Sequence, residues 1–230
     1  MPLIKVIIPA YNEEDSIGLV IADIPKLVDQ VIVVNNNSTD GTVMAAKKAG
    51  ATVLTETNMG YGYACLKAMD YIAQQQVKPD IIVFMDGDYS DYPEELIKVI
   101  DPIIKQDIDM VIGSRNATGR AKNSMTPQQV FGNWLATFLM RIFFNATYTD
   151  LGPFRAIKYP KLLALQMRDK TYGWTVEMQL KVLKKNFSYT EVPVRYRQRI
   201  GVSKVSGTLK GAVMAGVKIL GWIFKYSLKK

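Results

Sequence analysis

The chain has 230 residues, 48% of them hydrophobic, with one cysteine, no histidine and a formal net charge of +8. That length suits one α/β domain with an appendage rather than two independent domains. A lone Cys65 excludes an internal disulfide and a cysteine zinc site, and the lack of histidine excludes Ser-His-Asp and Cys-His nucleophile systems, so chemistry falls to carboxylates, cations, hydroxyls or a metal.

The opening MPLIKVIIPAYNEED has too short an apolar run for a signal peptide and reads as a first strand. No stretch reaches the roughly 18 uninterrupted apolar residues of a membrane-spanning helix. β-Branched runs at 3–9, 30–34, 51–55, 81–85 and 109–113 predict strands, and apolar residues every three or four positions predict helices near 13–25, 39–49, 61–76 and 94–105. This alternation implies a mostly parallel, Rossmann-like α/β sheet with helices on both faces, whose ligands bind beyond the carboxyl ends of the strands. The five segments leaving those ends, PAYNEE, NNNSTDGT, ETNMGYG, DGDYSD and SRNATGR, are therefore expected to meet on one rim. After about residue 115 the alternation stops. Amphipathic helices are predicted at 127–144 and 209–230, with a strand-helix-strand region between them whose clearest strand is FSYTEVPVRY (187–196).

The acidic run MDGDYSDYPEE (85–95) stands out in a basic chain. Two carboxylates on alternate residues at a strand end, Asp86 and Asp88 around Gly87, can converge on one hard divalent cation, with Ser90 as a further oxygen ligand and phosphate completing the shell. Pro93, Glu94 and Glu95 instead suit the start of the next helix. Asp91 receives no role from the sequence.

Seven stretches in order, VIIPAYNEE, VNNNSTDGT, NMGYGYA, MDGDYSDYPEEL, GSR, TDLGPFRAI and RIGVSKVSG, resemble the family 2 inverting glycosyltransferases of GT-A fold, in particular the group of dolichol-phosphate mannose synthase and polyprenyl-phosphate glucosyltransferases. The resemblance implies a single domain over 1–230: a nucleotide-sugar half (1–115), an acceptor half (116–208) and a C-terminal amphipathic helix (209–230). It implies that Pro9, Ala10, Tyr11 and Glu13 wrap the base and ribose, that Asn36 and Asp40 stand where relatives contact the base, and that Gly60 lets backbone approach the ligand. Asp86, Gly87 and Asp88 would hold the diphosphate through Mg2+ or Mn2+, and Arg115, Arg199 and Lys204 would bind it directly. Asp88 and Arg115 are the implied catalytic groups, joined by Asp150 if the acceptor hydroxyl needs a base. Arg155, Trp174 and Glu177 would line the sugar or acceptor.

Two motifs depart from the family pattern. Asn35, Asn36 and Asn37 replace an Asp-Asp-Gly, and an amide complements the imide edge of uracil better than guanine, which favours a UDP-hexose, glucose foremost. Gly152 and Pro153 replace a Ser-Gly before Phe154 and Arg155. The expected reaction is metal-dependent inverting transfer from a UDP-sugar to a polyprenyl phosphate, whose oxygen is anionic near pH 7 and needs no base. Transfer to a sugar hydroxyl, with Asp150 as base, is the alternative. A sugar-nucleotide pyrophosphorylase would need a Gly-rich basic loop where PAYNEE stands. A nucleic-acid-binding module ranks last, because the basic residues are not interleaved with aromatics. Lysines 210, 218, 225, 229 and 230 around the last apolar helix suit peripheral contact with the inner, cytoplasmic face of a membrane through 127–144 and 209–230; packing on the sheet or in a homodimer is the competing expectation.

Overall fold

The computed structural model describes residues 1–116, 120–122, 124–201 and 209–228. Among these the order is β1 (Ile4–Ala10), α1 (Ile17–Asp23), β2 (Gln30–Asn35), α2 (Thr42–Lys48), β3 (Thr52–Thr55), α3 (Tyr61–Gln74), β4 (Ile81–Phe84), α4 (Leu96–Gln106), β5 (Met110–Ser114), α5 (Pro127–Phe144), β6 (Arg155–Lys158), α6 (Tyr159–Leu165), α7 (Trp174–Lys184), β7 (Tyr189–Pro193) and α8 (Leu209–Ser227). A short 3-10 turn at Pro93–Glu95 leads into α4, as the Pro-Glu-Glu sequence suggests.

The seven strands form one sheet in the order β3-β2-β1-β4-β6-β5-β7. Pairing is parallel except at β6, which runs antiparallel between β4 and β5. The strand–helix alternation does not reveal β6, because its short run carries a charged Arg155 that a central strand rarely tolerates. Side-chain alternation sorts the strands onto two apolar layers. Ile7, Ile82, Phe84 and Ile112 pack against α3, α5, α7 and α8, whereas Val6, Ile8, Val83 and Val111 pack against α1 and α4.

α5 starts where the sequence caps it: Thr126 and Gln129 form a reciprocal capping box, with Pro127 in the first turn. Its orientation inverts the usual pattern. The buried stripe is Asn133, Ala136, Thr137 and Met140, while Phe131, Trp134, Phe138 and Ile142 are 61%, 55%, 43% and 58% exposed. Asn133 fixes this rotation, donating to Thr149 O and accepting from Leu151 N. α8 lies beside α5, with Phe143 and Phe224 in edge contact at 5.7 Å, and exposes Val213, Met214 and Val217 on the same side. Exposed apolar residues grouped on two neighbouring helices mark a contact surface. Among the described residues no helix is long and apolar enough to cross a membrane.

Candidate active site

The five strand-end segments do meet on one rim. Pro9, Ala10, Tyr11 and Glu13, then Asn36, Gly60, Asp86 with Gly87 and Asp88, and finally Arg115 line a cavity of about 850 Å³ together with Arg199. Its far wall is α5 (Gln128, Gln129, Gly132, Leu135), α8 (Val213, Gly216, Val217, Leu220) and Thr171 with Tyr172. One end is thus charged, and the other runs out between the two helices with exposed apolar faces.

At the charged end, Gly87 follows β4 and turns the chain so that Asp86 and Asp88 both reach the cavity. Burial and the adjacent Asp88 push the Asp86 carboxyl up to about 7. Asp88 accepts from Ser90 N at 2.9 Å and Ser90 Oγ at 2.5 Å on one oxygen, and pairs with Arg199 at 2.8 Å on the other. Ser90 therefore orients Asp88 in this geometry, a different position from the direct metal ligand expected. Asp91 is buried, and neither of its carboxylate oxygens has a hydrogen-bond partner. Burial, then the charges of Asp86 and Asp88, hold it well above the usual carboxylate range. An excess of carboxylate at one strand end, with an orphaned acid behind it, fits a divalent cation. Among the described residues no three acidic, histidine or cysteine side chains converge on a metal, so a cation held here would need phosphate oxygens to complete its shell.

The segment after β7 covers this loop. Arg197 N donates to Ser90 O and Ile200 N to Asp88 O, while the Arg197 guanidinium lies 3.4 Å from the Tyr89 ring centroid and 4.2 Å from that of Tyr92. The arrangement holds Tyr89 at a φ of 62°, a left-handed conformation that a bulky residue adopts only under constraint. Arg199 faces Glu13 at 3.5 Å as well as Asp88, so one guanidinium spans the first and fourth loops. Lys204 lies outside the described residues.

Arg115 enters from β5 with a bidentate partner. Asp150 accepts from Arg115 N at 2.7 Å, Nε at 2.9 Å and Nη2 at 2.6 Å. Burial works against both charges, but the pair and its hydrogen bonds outweigh it, lowering the Asp150 carboxyl and raising the guanidinium. Asp150 is fully buried and does not line the cavity, so it positions Arg115 and is unsuited to the general-base role considered from the sequence.

Other expected site residues are engaged by contacts within the fold. Asp40 caps α2 through Thr42 and accepts from Glu14 N. The Asn36 amide donates to Glu56 O and Asn58 O and accepts from Gly60 N, Asn35 Oδ1 accepts from Ser38 N in its own loop, and the Asn37 amide donates to Thr57 O in the loop after β3. With both edges of Asn36 spent on backbone, the amide argument for uracil has no geometric support at Asn36. Arg155 is buried under the sheet, donating to Leu151 O, Gly152 O and Thr175 O, and burial brings it down to about 10. Trp174 is a core residue edge-on to Phe84 at 5.9 Å. Glu177 accepts from Arg168 N and Asp169 N and pairs with Lys181. None of these three lines the cavity; Thr171, Tyr172, Gln128 and Gln129 stand there instead. These four carried no motif, and only their place between chain segments exposes them.

The glycosyl transferase family 2 profile matches residues 5–163. Undecaprenyl-phosphate mannosyltransferase of Micrococcus luteus is 29% identical over 224 residues, covering 92% of this chain and 90% of that protein. Dolichyl-phosphate hexose transferase of Haloferax volcanii is 30% identical over 218 residues, with the same coverages of 92% and 90%. Among solved structures, glucosyl-3-phosphoglycerate synthase of Mycobacterium tuberculosis in complex with Mn2+, UDP and glucosyl-3-phosphoglycerate superposes with a TM-score of 0.77 at 20% identity, over 98% of this chain and 80% of that one. That likeness carries the GT-A fold.

Proposed function

Since the chain belongs to glycosyl transferase family 2 and is a glycosyltransferase, we propose that it moves a hexose from a UDP-sugar, with glucose as the first candidate, to a polyprenyl phosphate. The observation that carries this reading is the polarity of one cavity: paired carboxylates and arginines at one end, and an apolar exit between α5 and α8 at the other. A nucleoside diphosphate matches the first end and a lipid phosphate the second. Relatives named for undecaprenyl and dolichyl phosphate acceptors support the lipid half. The UDP and Mn2+ bound by the similar synthase support the donor half.

Asp86 and Asp88 are the residues placed to hold Mg2+ or Mn2+, which when bound would neutralise the leaving diphosphate. Arg199, which pairs with Asp88 and Glu13, would add positive charge for phosphate at the same end, and Arg115 is held at the rim by Asp150. The acceptor phosphate oxygen is already anionic and attacks the anomeric carbon from the face opposite the diphosphate; the bond to the diphosphate oxygen breaks, and configuration inverts. With Asp150 sealed by Arg115, the alternative of a hydroxyl acceptor loses its base. The exposed faces of α5 and α8 would rest on the membrane surface that carries the acceptor, the protein lying peripherally on the inner, cytoplasmic face.

The test couples two measurements. Thermal stabilisation by UDP and by GDP, each with and without Mn2+, is compared for wild type and Asp88→Asn. Radiolabel transfer from UDP-glucose into butanol-extractable undecaprenyl phosphate is then followed. Metal-dependent stabilisation by UDP alone, lost in the variant, together with lipid labelling is expected. Stabilisation by GDP over UDP would overturn the donor assignment, and labelling of a free sugar hydroxyl instead of lipid would overturn the acceptor.

A further inference from the structure

The loop 166–173, between α6 and α7, forms part of the cavity wall and is tied to the last helix through the Asp169 carboxylate. Its backbone presses on the start of α3: a Cβ on Gly60 would collide with Lys170 O, and one on Gly62 with Asp169 O. Tyr63 N donates to Lys170 O at 3.0 Å. The loop therefore holds in place the glycine turn whose Gly60 N bonds Asn36, and it presents Thr171 and Tyr172 to the cavity.

Asp169 divides its two oxygens between this loop and α8. Oδ1 accepts from Thr171 N at 2.7 Å and Gly173 N at 3.0 Å, closing the loop on itself. Oδ2 accepts from Trp222 Nε1 at 2.6 Å and faces Lys218 Nζ at 3.2 Å, both from α8. The Asp169 side chain is fully buried. Gly173 leaves room for the union, since a Cβ there would strike the Trp222 indole. A carboxylate with this little water depends on every donor it has.

We propose that Asp169 is a positioning residue that couples the seating of α8 to nucleotide affinity: α8 docked through Trp222 and Lys218 holds the 166–173 loop, and thereby the Gly60 turn, in the donor-binding geometry. This rests on the cavity being the nucleotide site. It extends that reading by making α8, which borders the apolar exit, a regulator of the donor end. Coupling of this kind is reciprocal, so nucleotide must also steady α8.

The experiment measures UDP affinity with Mn2+ by calorimetry, and amide exchange of α8 with and without UDP, on the full chain. Trp222→Phe keeps the ring and removes the donor. It is expected to raise the nucleotide Kd about fivefold or more and to abolish the slowing of α8 exchange by UDP. Lys218→Gln, at a half-exposed position that folding tolerates, should raise Kd in the same direction, whereas Lys218→Arg restores it. Met214→Ala, exposed on the same helix eight positions before Trp222 and outside the cavity lining, should bind UDP as wild type. Equal Kd in wild type, Trp222→Phe and Lys218→Gln overturns the coupling while leaving the nucleotide site standing. So does an equal loss in Met214→Ala, which would mark a general effect of α8. A wild type that binds neither UDP nor GDP overturns the coupling and the donor reading together.

Discussion

At the scale of single residues, the acidic loop is a place where binding function opposes stability. Asp86 has its proton affinity raised to about 7 in the fold, by burial and then by Asp88. The folded state therefore keeps a proton that the unfolded chain releases near pH 4. The contribution of Asp86 to the stability of the metal-free protein accordingly falls as pH rises from about 4 to about 7 and is level above that. Asp86→Asn should remove the penalty, raising Tm at pH 8 by roughly 3 °C or more in EDTA while eliminating the Mn2+-dependent shift with UDP. Calorimetric scans at pH 5 and pH 8 check both: the gain should be present at pH 8 and smaller at pH 5. The Arg115–Asp150 pair behaves oppositely, because its charges satisfy each other inside the fold. Removing one partner leaves an uncompensated buried charge, so Asp150→Ala should cost on the order of 3–5 kcal/mol in urea unfolding. Had Asp150 been a base, Asp150→Asn would lower kcat with little change in donor binding. Acting through Arg115, it should weaken UDP binding as well.

At the scale of elements, what the sequence disclosed and what it hid follow from how local each feature is. The parallel strands of the first half were legible because β-branched runs and strand-end loops are contiguous, and the rule that ligands lie beyond the carboxyl ends located Pro9, Glu13, Asp86, Asp88 and Arg115 on one rim. Three kinds of feature were hidden. β6 hides its place in the sheet because Arg155 is satisfied by carbonyls from Leu151, Gly152 and Thr175, a compensation invisible in composition. Glu177 and Asp40 look like site acids, yet each saturates nearby backbone N–H groups. Asp91 had no assignment, since only the packed structure shows its oxygens unpartnered. The glycines of NMGYG were legible as close approaches but not as to what approaches them. The structure identifies backbone of the 166–173 loop, so Gly62→Ala should displace that loop and raise the UDP Kd at least tenfold. Gly18→Ala, where a Cβ meets nothing within 4 Å and the residue lies in α1, should leave Kd unchanged and add about 1 kcal/mol of stability. Nucleotide titration and urea unfolding of the two variants separate a contact glycine from a merely permissive one.

At the scale of the whole molecule, the proposed membrane contact draws on both the outward apolar residues of α5 and α8 and the net charge of +8. Phe131, Trp134 and Phe138 form an aromatic row, the first pair tilted with ring centroids 5.9 Å apart and the second stacked at 5.5 Å, on a helix that buries Asn133, Ala136, Thr137 and Met140. Had the row served stability, it would be buried where Ala136 and Met140 are. Aromatic rings of this kind partition into the headgroup boundary, and basic residues add attraction to anionic lipid that salt weakens. The two contributions can be told apart. Co-sedimentation with vesicles containing anionic phospholipid should fall steeply between 0.1 and 0.5 M salt, an outcome set by charge and Debye screening at about 10 Å or less. Trp134→Glu with Phe138→Glu should reduce binding at every salt concentration and depress transfer to vesicle-borne undecaprenyl phosphate by tenfold or more. The Kd for UDP should be unchanged, because neither residue lines the donor end. Wild-type vesicle binding and wild-type transfer in the double variant would place the acceptor encounter elsewhere on the surface and leave the aromatic row as a contact for protein. Retained binding with lost transfer would instead confine the row to extracting the acceptor, since the charged surface alone would then suffice to bring the enzyme to the membrane.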